Sequence, residues 1–214
     1  MKKFLSLTIS LVLTCCFFVS PVSAHESTFN HTLPDIVIDS DVEILENILE
    51  ELQNEYPDAV QITIYGYYEV PGPTVPEIAP QYVDKISKVN KTTTQYNVMT
   101  KNEFIISVAK GQTIQLSSTT TFSLEANVSG KASVADLGLK SSISQTFTTS
   151  MTWTGPEANS TANSREYRIK FYENQGTYTA VRQFGPTGMG FEEISGTWSE
   201  PVKYLQYSID HRVS

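Results

Sequence analysis

The chain has 214 residues, with 15 basic and 23 acidic side chains and a net charge of −8. This acidic balance argues against a nucleic-acid partner, because phosphate contacts need clustered lysine and arginine. The length suits a single domain with a sizeable buried core, and beyond residue 24 no apolar run is long enough for a membrane-spanning helix.

Residues 1–24 have the three parts of a secretory signal peptide. Two lysines give a basic start, residues 4–19 are largely apolar, and small side chains precede a cleavage site after Ala24. Cleavage there predicts a secreted, extracellular chain of residues 25–214 with a net charge of −10.

Both cysteines, Cys15 and Cys16, lie within this segment. The secreted chain would therefore have no disulfide bond, no thiol nucleophile and no thiolate metal ligand. A lipid anchor at either cysteine is disfavoured, because Leu13 and Thr14 match a lipobox poorly. Secreted chains without disulfides and rich in serine and threonine are typical of Gram-positive bacteria, so we expect a bacterial source.

The next part of the chain predicts one helix and one strand. Residues 25–38 are mixed and polar, and we expect no regular structure there. Apolar residues then recur at helical spacing over residues 40–56, opposite an acidic face. A β-type segment follows, and after it a stretch with four prolines that predicts a linker. The predicted units are the signal peptide (1–24), an N-terminal helix and strand unit (25–70), the proline-rich linker (71–80) and a β domain (81–214).

From residue 82 onward, long β-type segments alternate with turn signals. The predicted fold class is mainly β, an elongated antiparallel sheet or sandwich with a long amphipathic hairpin and one N-terminal helix. The predicted strands cover residues 91–109, 112–128, 131–139, 141–154, 165–174, 177–184 and 192–210.

Residues 112–154 are the most informative segment, because 18 of the 43 residues are serine or threonine and only four are charged. Apolar residues fall on even positions in a first arm (112–128) and on odd positions in a second arm (141–154). The opposite face is entirely hydroxyl in the second arm, and in the first arm it is hydroxyl apart from Gln115, Glu125 and Asn127. A tip (129–140) connects the arms. The candidate membrane-contacting residues of this hairpin are Ile114, Leu116, Phe122, Leu124, Val128, Val134, Leu137, Leu139, Ile143, Phe147, Met151 and Trp153.

Either arm is long enough to cross a bilayer. Seventeen extended residues span about 56 Å, whereas a tilted transmembrane strand needs only about 9–11 residues. One face could meet lipid while the hydroxyl face lines a wet lumen, which is the alternating pattern of membrane β-barrels. The scarcity of charges fits, since a charge on the lipid face costs about 2–4 kcal/mol at the bilayer midplane.

A hydroxyl-rich amphipathic hairpin, flanked by long strands in a secreted chain without cysteines, resembles the aerolysin-type pore-forming proteins, particularly the branch that contains epsilon-toxin. The resemblance covers residues 82–210. It implies an elongated β fold, secretion as a soluble monomer, assembly into a homo-oligomer, and insertion of one hairpin per protomer. The partners that it implies are a lipid membrane or a cell-surface receptor.

The same alternation is typical of any half-exposed antiparallel sheet. The alternative is therefore a non-lytic, secreted binding or structural β module that acts at the cell envelope. The two functions differ in whether the hairpin leaves the sheet.

The histidines offer one further alternative. Cleavage after Ala24 would make His25 the N-terminal residue, and an N-terminal histidine can chelate copper through its amine and imidazole together. Such a site needs a second histidine on the sheet, and His31 and His211 have no convincing position for it. We therefore expect no metal and no cofactor.

No catalytic motif stands out. Ser208, Asp210 and His211 have the residue types of a hydrolase triad, but Asp210 and His211 are adjacent and no nucleophile elbow is present. Glu192 and Glu193 are also adjacent, which places them on opposite faces of a strand rather than together as a glycosidase pair. We expect that the protein is not an enzyme.

Overall fold

The computed structural model describes residues 35–38, 46–69, 85–184 and 190–212. The predicted fold class is confirmed, because the protein is mainly β, with antiparallel sheets and, among the described residues, one helix near the N-terminus. The elements are β1 Asp35–Ile38, α1 Glu46–Glu55, β2 Gln61–Glu69, β3 Lys85–Ala109, β4 Thr113–Gln115, β5 Thr120–Glu125, β6 Asn127–Val128, β7 Ser142–Phe147, β8 Thr152–Thr154, β9 Ser164–Phe184 and β10 Gly190–His211.

Six strands form the main sheet in the order β1-β2-β10-β9-β3, and the short β6 also pairs with β10. The pairing of β1 with β2 is parallel and the other pairings are antiparallel. With 25, 21 and 22 residues, β3, β9 and β10 are far longer than ordinary strands. At about 3.3 Å per residue they extend roughly 70–80 Å.

The edge strand β3 is irregular along its length. Its register with β9 shifts at five places, and Lys88 and Asn97 adopt positive φ angles within two of these irregularities. Bulges of this kind bend an edge strand and interrupt its row of free backbone groups. They protect a long, exposed edge from pairing with another chain.

Helix α1 covers one face of the sheet over β2 and β10. Its residues Ile48 and Leu52 are buried against Ile62, Ile64 and Leu205, in a cluster that we call the helix-side core. The predicted helix over 40–56 is thus present over its second part, while 40–45 lie outside the described residues. Strand β2, from the predicted N-terminal unit, pairs with β10 in the main sheet, and the predicted linker lies outside the described residues.

A buried ion cluster fixes α1 to the sheet. Lys170 of β9 is completely buried and donates hydrogen bonds to Glu51, at 2.8 Å, and to Glu55. Burial alone would raise the pKa of the Glu55 carboxyl, but hydrogen bonds from Lys170 and Tyr56 and the charge of Lys170 hold this pKa below its ordinary value. A buried ammonium is costly without charged hydrogen-bond partners. Glu51 and Glu55 of α1 therefore stabilise buried Lys170 of β9, and Lys170 in turn holds α1 on the sheet.

Four details of the predicted secondary structure are wrong. Residues 131–139 form turns rather than a strand, and each hairpin arm is divided into short strands separated by unpaired residues. Residues 35–38, expected to lack regular structure, form β1, because three β-branched residues can pair with β2. A turn was expected at Gly176, yet β9 continues through it.

Glycine is required at position 176 within β9 because neighbouring atoms leave no room for a Cβ. A Cβ at this position would lie 2.2 Å from the carbonyl oxygen of Thr92 and 2.7 Å from the ring of Trp198. The glycine permits close approach of a neighbouring strand and of an indole. Composition alone does not distinguish this use of glycine from a turn.

We predict that Glu55→Gln lowers the free energy of unfolding at pH 7 by about 2 kcal/mol, because buried Lys170 loses a charged acceptor. The folded-state pKa of Glu55 is depressed, so its contribution is present above the ordinary pKa of about 4.3 and is lost as the pH falls through the folded value. Urea unfolding at pH 7 and at about pH 3 measures the difference, which should shrink in acid. Glu50→Gln, an exposed change on the same helix, is the control, and an equal loss at both pH values would contradict the prediction.

Candidate functional site

The segment 112–154 forms one hairpin with a single register. Strand β4 pairs with β8 and β5 pairs with β7, so that Ile114 lies opposite Trp153 and Leu124 opposite Ile143. The two interruptions, at residues 116–119 and 148–151, are equal in length, and the pairing resumes after them without a shift. The two short sheets are therefore parts of the same ladder.

The apolar face of the arms lies against the main sheet. Four of the predicted residues, Leu124, Ile143, Phe147 and Trp153, are buried with residues of β3, β9 and β10 in a cluster that we call the arm core. Its sheet residues are Val108, Tyr167, Ile169, Phe171 and Tyr204. Leu116 and Phe122 are partly buried against it, whereas Ile114 and Met151 remain more than one third exposed.

The other four predicted residues, three from the tip and Val128 from the end of the first arm, lie in a separate cluster. Leu137 and Leu139 are buried, and Val128 and Val134 are partly buried, beside Trp198 in what we call the tip core. Tyr178, Ala180 and Ile194 complete it. The structure thus divides the predicted apolar set between two cores.

The tip lies on the opposite face of the sheet from the arms. On β9, Ile169 and Phe171 contact the arms, whereas Tyr178 and Ala180 contact the tip. Every residue of β9 is paired with β10, so odd and even positions stay on opposite faces. The hairpin passes round the sheet at β6, where Asn127–Val128 pairs with β10, and covers part of both faces.

Gly196 allows this passage. A Cβ at Gly196 would lie 2.2 Å from the carbonyl oxygen of Ser129 and 2.7 Å from the ring of Tyr178. The hydroxyl of Tyr178 donates a hydrogen bond to the same carbonyl at 2.8 Å, and Ser129 Oγ lies 2.9 Å from Thr197 Oγ1. The start of the tip is therefore fixed to β10 by close packing and by side-chain hydrogen bonds.

The outward face of the arms consists of hydroxyl residues apart from Gln115, Glu125 and Asn127, and it is largely exposed. Thr121 and Thr146 lie opposite each other on this face with their Oγ1 atoms 2.9 Å apart. The arrangement matches the predicted assignment of the two faces. It leaves the hairpin amphipathic while it is docked.

The arms are attached to the sheet through side chains. Lys101 Nζ donates to the carbonyl oxygen of Ser123 at 2.7 Å, and Tyr204 Oη donates to Gln145 Oε1 at 2.8 Å. Tyr167 Oη donates to a carbonyl of β8 at 2.7 Å. Sequence reasoning missed these three anchors, because nothing in the chain near them marks their distant partners.

The residue types of the hydrolase triad are not assembled. Ser208 Oγ is hydrogen-bonded to Tyr65 Oη at 3.0 Å, whereas Asp210 is held by two guanidinium nitrogens of Arg165 at 2.6 and 2.8 Å. The hydrogen bonds to Asp210 raise the pKa of Arg165 above its ordinary value, in spite of burial. His211 Nε2 instead lies 3.7 Å from a carboxylate oxygen of Glu166.

The other candidate sites lie apart or outside the described residues. Glu192 pairs with Lys131 and, at 3.8 Å, with Arg182, while Glu193 is exposed. His25 and His31 lie outside the described residues. Within the described part of the chain, no group of three or more histidine, aspartate or glutamate side chains is placed to hold a metal ion, and no helix is long and apolar enough to cross a membrane.

Comparisons with protein-family models, with curated proteins and with solved structures found no match to this chain. A function is therefore inferred from the hairpin and from the surfaces that it covers.

We predict that Phe147→Ala lowers the free energy of unfolding by about 3–5 kcal/mol, because Phe147 is 1% exposed and lies between the rings of Phe122 and Trp153. Ser144→Ala, on the exposed face of the same strand, should change it by no more than about 0.5 kcal/mol. Urea unfolding measures both. Similar losses for the two variants would contradict the assignment of faces.

Proposed function

We propose that the protein is a secreted, membrane-active protein of the β-pore-forming type, in which the hairpin leaves the sheet and inserts into a bilayer. The single register of the hairpin carries this proposal. If residues 116–119 pair with 148–151 in the existing register, residues 113–126 and 141–154 form one continuous ladder. Its 14 pairs extend about 46 Å, whereas the hydrocarbon core of a bilayer is about 30 Å thick.

The chemistry of this ladder supports insertion. Its apolar face holds the pairs Ile114–Trp153, Leu116–Met151 and Leu124–Ile143, and its other face holds hydroxyls. Glu125 is the one charged residue among residues 113–126 and 141–154, and it lies on the hydroxyl face near the tip. Lipid would therefore meet no charged side chain, and the hydroxyl face would stay in contact with water.

The docked hairpin is also arranged for release. Its arms are held on the sheet by apolar contacts and side-chain hydrogen bonds, and its backbone pairing with the sheet is limited to the short β6 and the adjacent Ser129, whose N–H donates to the carbonyl of Thr197. Release would leave the long β9–β10 ladder intact. The exposed sheet would then be available to a second protomer, which fits the proposed homo-oligomer.

We predict that a disulfide between Ser129→Cys and Thr197→Cys abolishes release of dye from loaded phospholipid vesicles and that a reducing agent restores it. The two hydroxyl oxygens are 2.9 Å apart, so the disulfide would tie the tip to β10 and keep the hairpin docked. Cys15 and Cys16 are replaced by serine in this background, so that only the engineered pair can form.

The hairpin supplies a matched control. Thr121→Cys with Thr146→Cys joins two hydroxyl positions that are also 2.9 Å apart, but it ties one arm to the other. This pair stays together in an inserted ladder, so the oxidised control should release dye as the parent protein does. If the reduced proteins release no dye from vesicles of several lipid compositions, the membrane-active function is wrong and the non-lytic binding module is favoured.

A further inference from the structure

Two phenylalanines are exposed together at one end of the long β9–β10 ladder. Phe184, the last residue of β9, is 39% exposed, and Phe191, the second residue of β10, is 67% exposed. Single exposed apolar side chains are common on protein surfaces. Two large rings at the same end of an elongated sheet instead indicate a contact surface, which we call the aromatic end.

The two rings project from opposite faces of the ladder. Phe184 pairs with Gly190, and a Cβ on this glycine would lie 2.8 Å from the Phe184 ring. Phe191 belongs to the adjacent pair, with Gln183, so its ring lies on the other face. A partner on one face would meet only one ring, whereas a flat surface at the end of the sheet would meet both. The geometry therefore favours a planar partner that approaches end-on.

Basic residues predominate around the aromatic end, although the chain as a whole has a net charge of −8. The charged residues that the structure describes beside it are Lys85, Lys88, Lys131, Arg182, Glu192 and Glu193. Four basic and two acidic side chains give a local charge of +2. Asp84 precedes Lys85 in the sequence and lies outside the described residues, and its charge would leave this sum positive. The Arg182 guanidinium lies 5.8 Å from the centre of the Phe184 ring, so charge and aromatic surface adjoin.

Negative charge predominates toward the other end of the sheet. Helix α1 has four glutamates and no basic residue. It is held by Lys170, which lies about 46 Å from Phe184 along β9. An anionic surface would attract the aromatic end and repel the helix. The charges thus favour the same end-on approach as the two rings.

We propose that the aromatic end docks end-on against an anionic phospholipid bilayer, with Phe184 and Phe191 among the headgroups. Apolar rings beside basic side chains are the combination that holds a protein surface in the membrane interface. Lys85 and Lys88 are exposed next to the rings, and basic side chains close to an anionic leaflet add electrostatic attraction. The partner of this surface is therefore the lipid itself.

Docking in this orientation would bring the hairpin tip to the bilayer, a consequence that rests on the proposed function. Lys131 of the tip is paired with Glu192, the neighbour of Phe191 in the chain. Ile194 of the tip core lies only three residues beyond Phe191, about 10 Å along the strand. The tip would thus lie close to the headgroups before the hairpin leaves the sheet.

Binding is best measured on a protein whose hairpin stays docked. The oxidised variant with Ser129→Cys and Thr197→Cys, made in residues 25–214, is floated with vesicles of phosphatidylcholine that contain phosphatidylserine. We expect it to bind, to bind vesicles of phosphatidylcholine alone more weakly, and to dissociate as salt is added. Absence of binding to the phosphatidylserine vesicles would overturn the proposal and favour a protein partner for this end.

The rings are tested by Phe184→Ser with Phe191→Ser in the same locked protein. Binding should weaken about ten-fold or more, because both rings lose their contact with lipid. Phe104→Ser is the matched control, since Phe104 is 49% exposed on β3 but lies opposite Arg168, far from the aromatic end. Midpoints of urea unfolding should match the parent and thereby exclude loss of the fold. Equal binding by the pair variant, or an equal loss in the control, would contradict the proposal.

The charges are tested by Lys85→Gln with Lys88→Asn. Lys88 has a φ angle of 49°, which asparagine tolerates. Binding to vesicles with phosphatidylserine should weaken about ten-fold or more, and binding to phosphatidylcholine alone should stay the same. The same change on both kinds of vesicle would show that the partner is not selected by its negative charge.

Contact is measured directly with phosphatidylcholine brominated in its acyl chains, mixed with phosphatidylserine. Phe191→Trp adds an indole at the aromatic end, and its fluorescence is obtained by subtracting that of the locked parent, which has Trp153 and Trp198. Brominated lipid should quench this added fluorescence and should not quench that of Phe104→Trp. Quenching of the control alone, or of neither, would overturn end-on docking.

Dye release separates this inference from the proposed function. If the unlocked protein releases no dye while the locked protein binds, the proposed function fails and the docking surface stands. If the unlocked protein releases dye, Phe184→Ser with Phe191→Ser should lower the release at a given protein concentration. Undiminished release by this variant would overturn the role of the rings in docking while leaving the proposed function intact.

Discussion

The pairing of every β9 residue with β10, across one register shift between Pro201 and Lys203, is the constraint on which the rest of the structure depends. Because successive side chains point to opposite faces, β9 places Ile169 and Phe171 beneath the arms while Lys170 and Tyr172 face the helix. A slip by one residue would put the lysine against the apolar arms and the phenylalanine against the helix carboxylates. Both the arms and the helix would lose favourable contacts in such a slip. Packing on both faces of the sheet therefore fixes the register of β9, and the docked hairpin has one position.

The sequence predicted what is local and missed what depends on distant partners. The two-residue period identified Leu124 and Ile143 as inward-facing, because alternation is a property of a strand in isolation. The same pattern could not show where the arms are interrupted, nor that the tip crosses to the other face, since both depend on the sheet beneath. Gly176 was misread for the same reason, as its role is set by Trp198.

Docking and the proposed insertion make similar demands on the apolar face of the arms. Leu124, Ile143, Phe147 and Trp153 each contribute about 1.5–3 kcal/mol when they are removed from water. In water, this contribution holds the arms on the sheet. Lipid tails solvate the same side chains, so contact with a bilayer removes most of the difference between docked and released arms. The hydroxyl face is hydrated in both states and favours neither.

The docked hairpin and the proposed inserted hairpin therefore differ in free energy mainly through the backbone of the two interruptions. Apart from the turn hydrogen bond from Met151 to Thr148, backbone groups at residues 116–119 and 148–151 that are not paired across the hairpin can be hydrated in water, but in hydrocarbon each would cost several kcal/mol. The proposed insertion would thus require these segments to pair, which would place Ser118 opposite Thr149 within the apolar face, where their hydroxyls could satisfy each other.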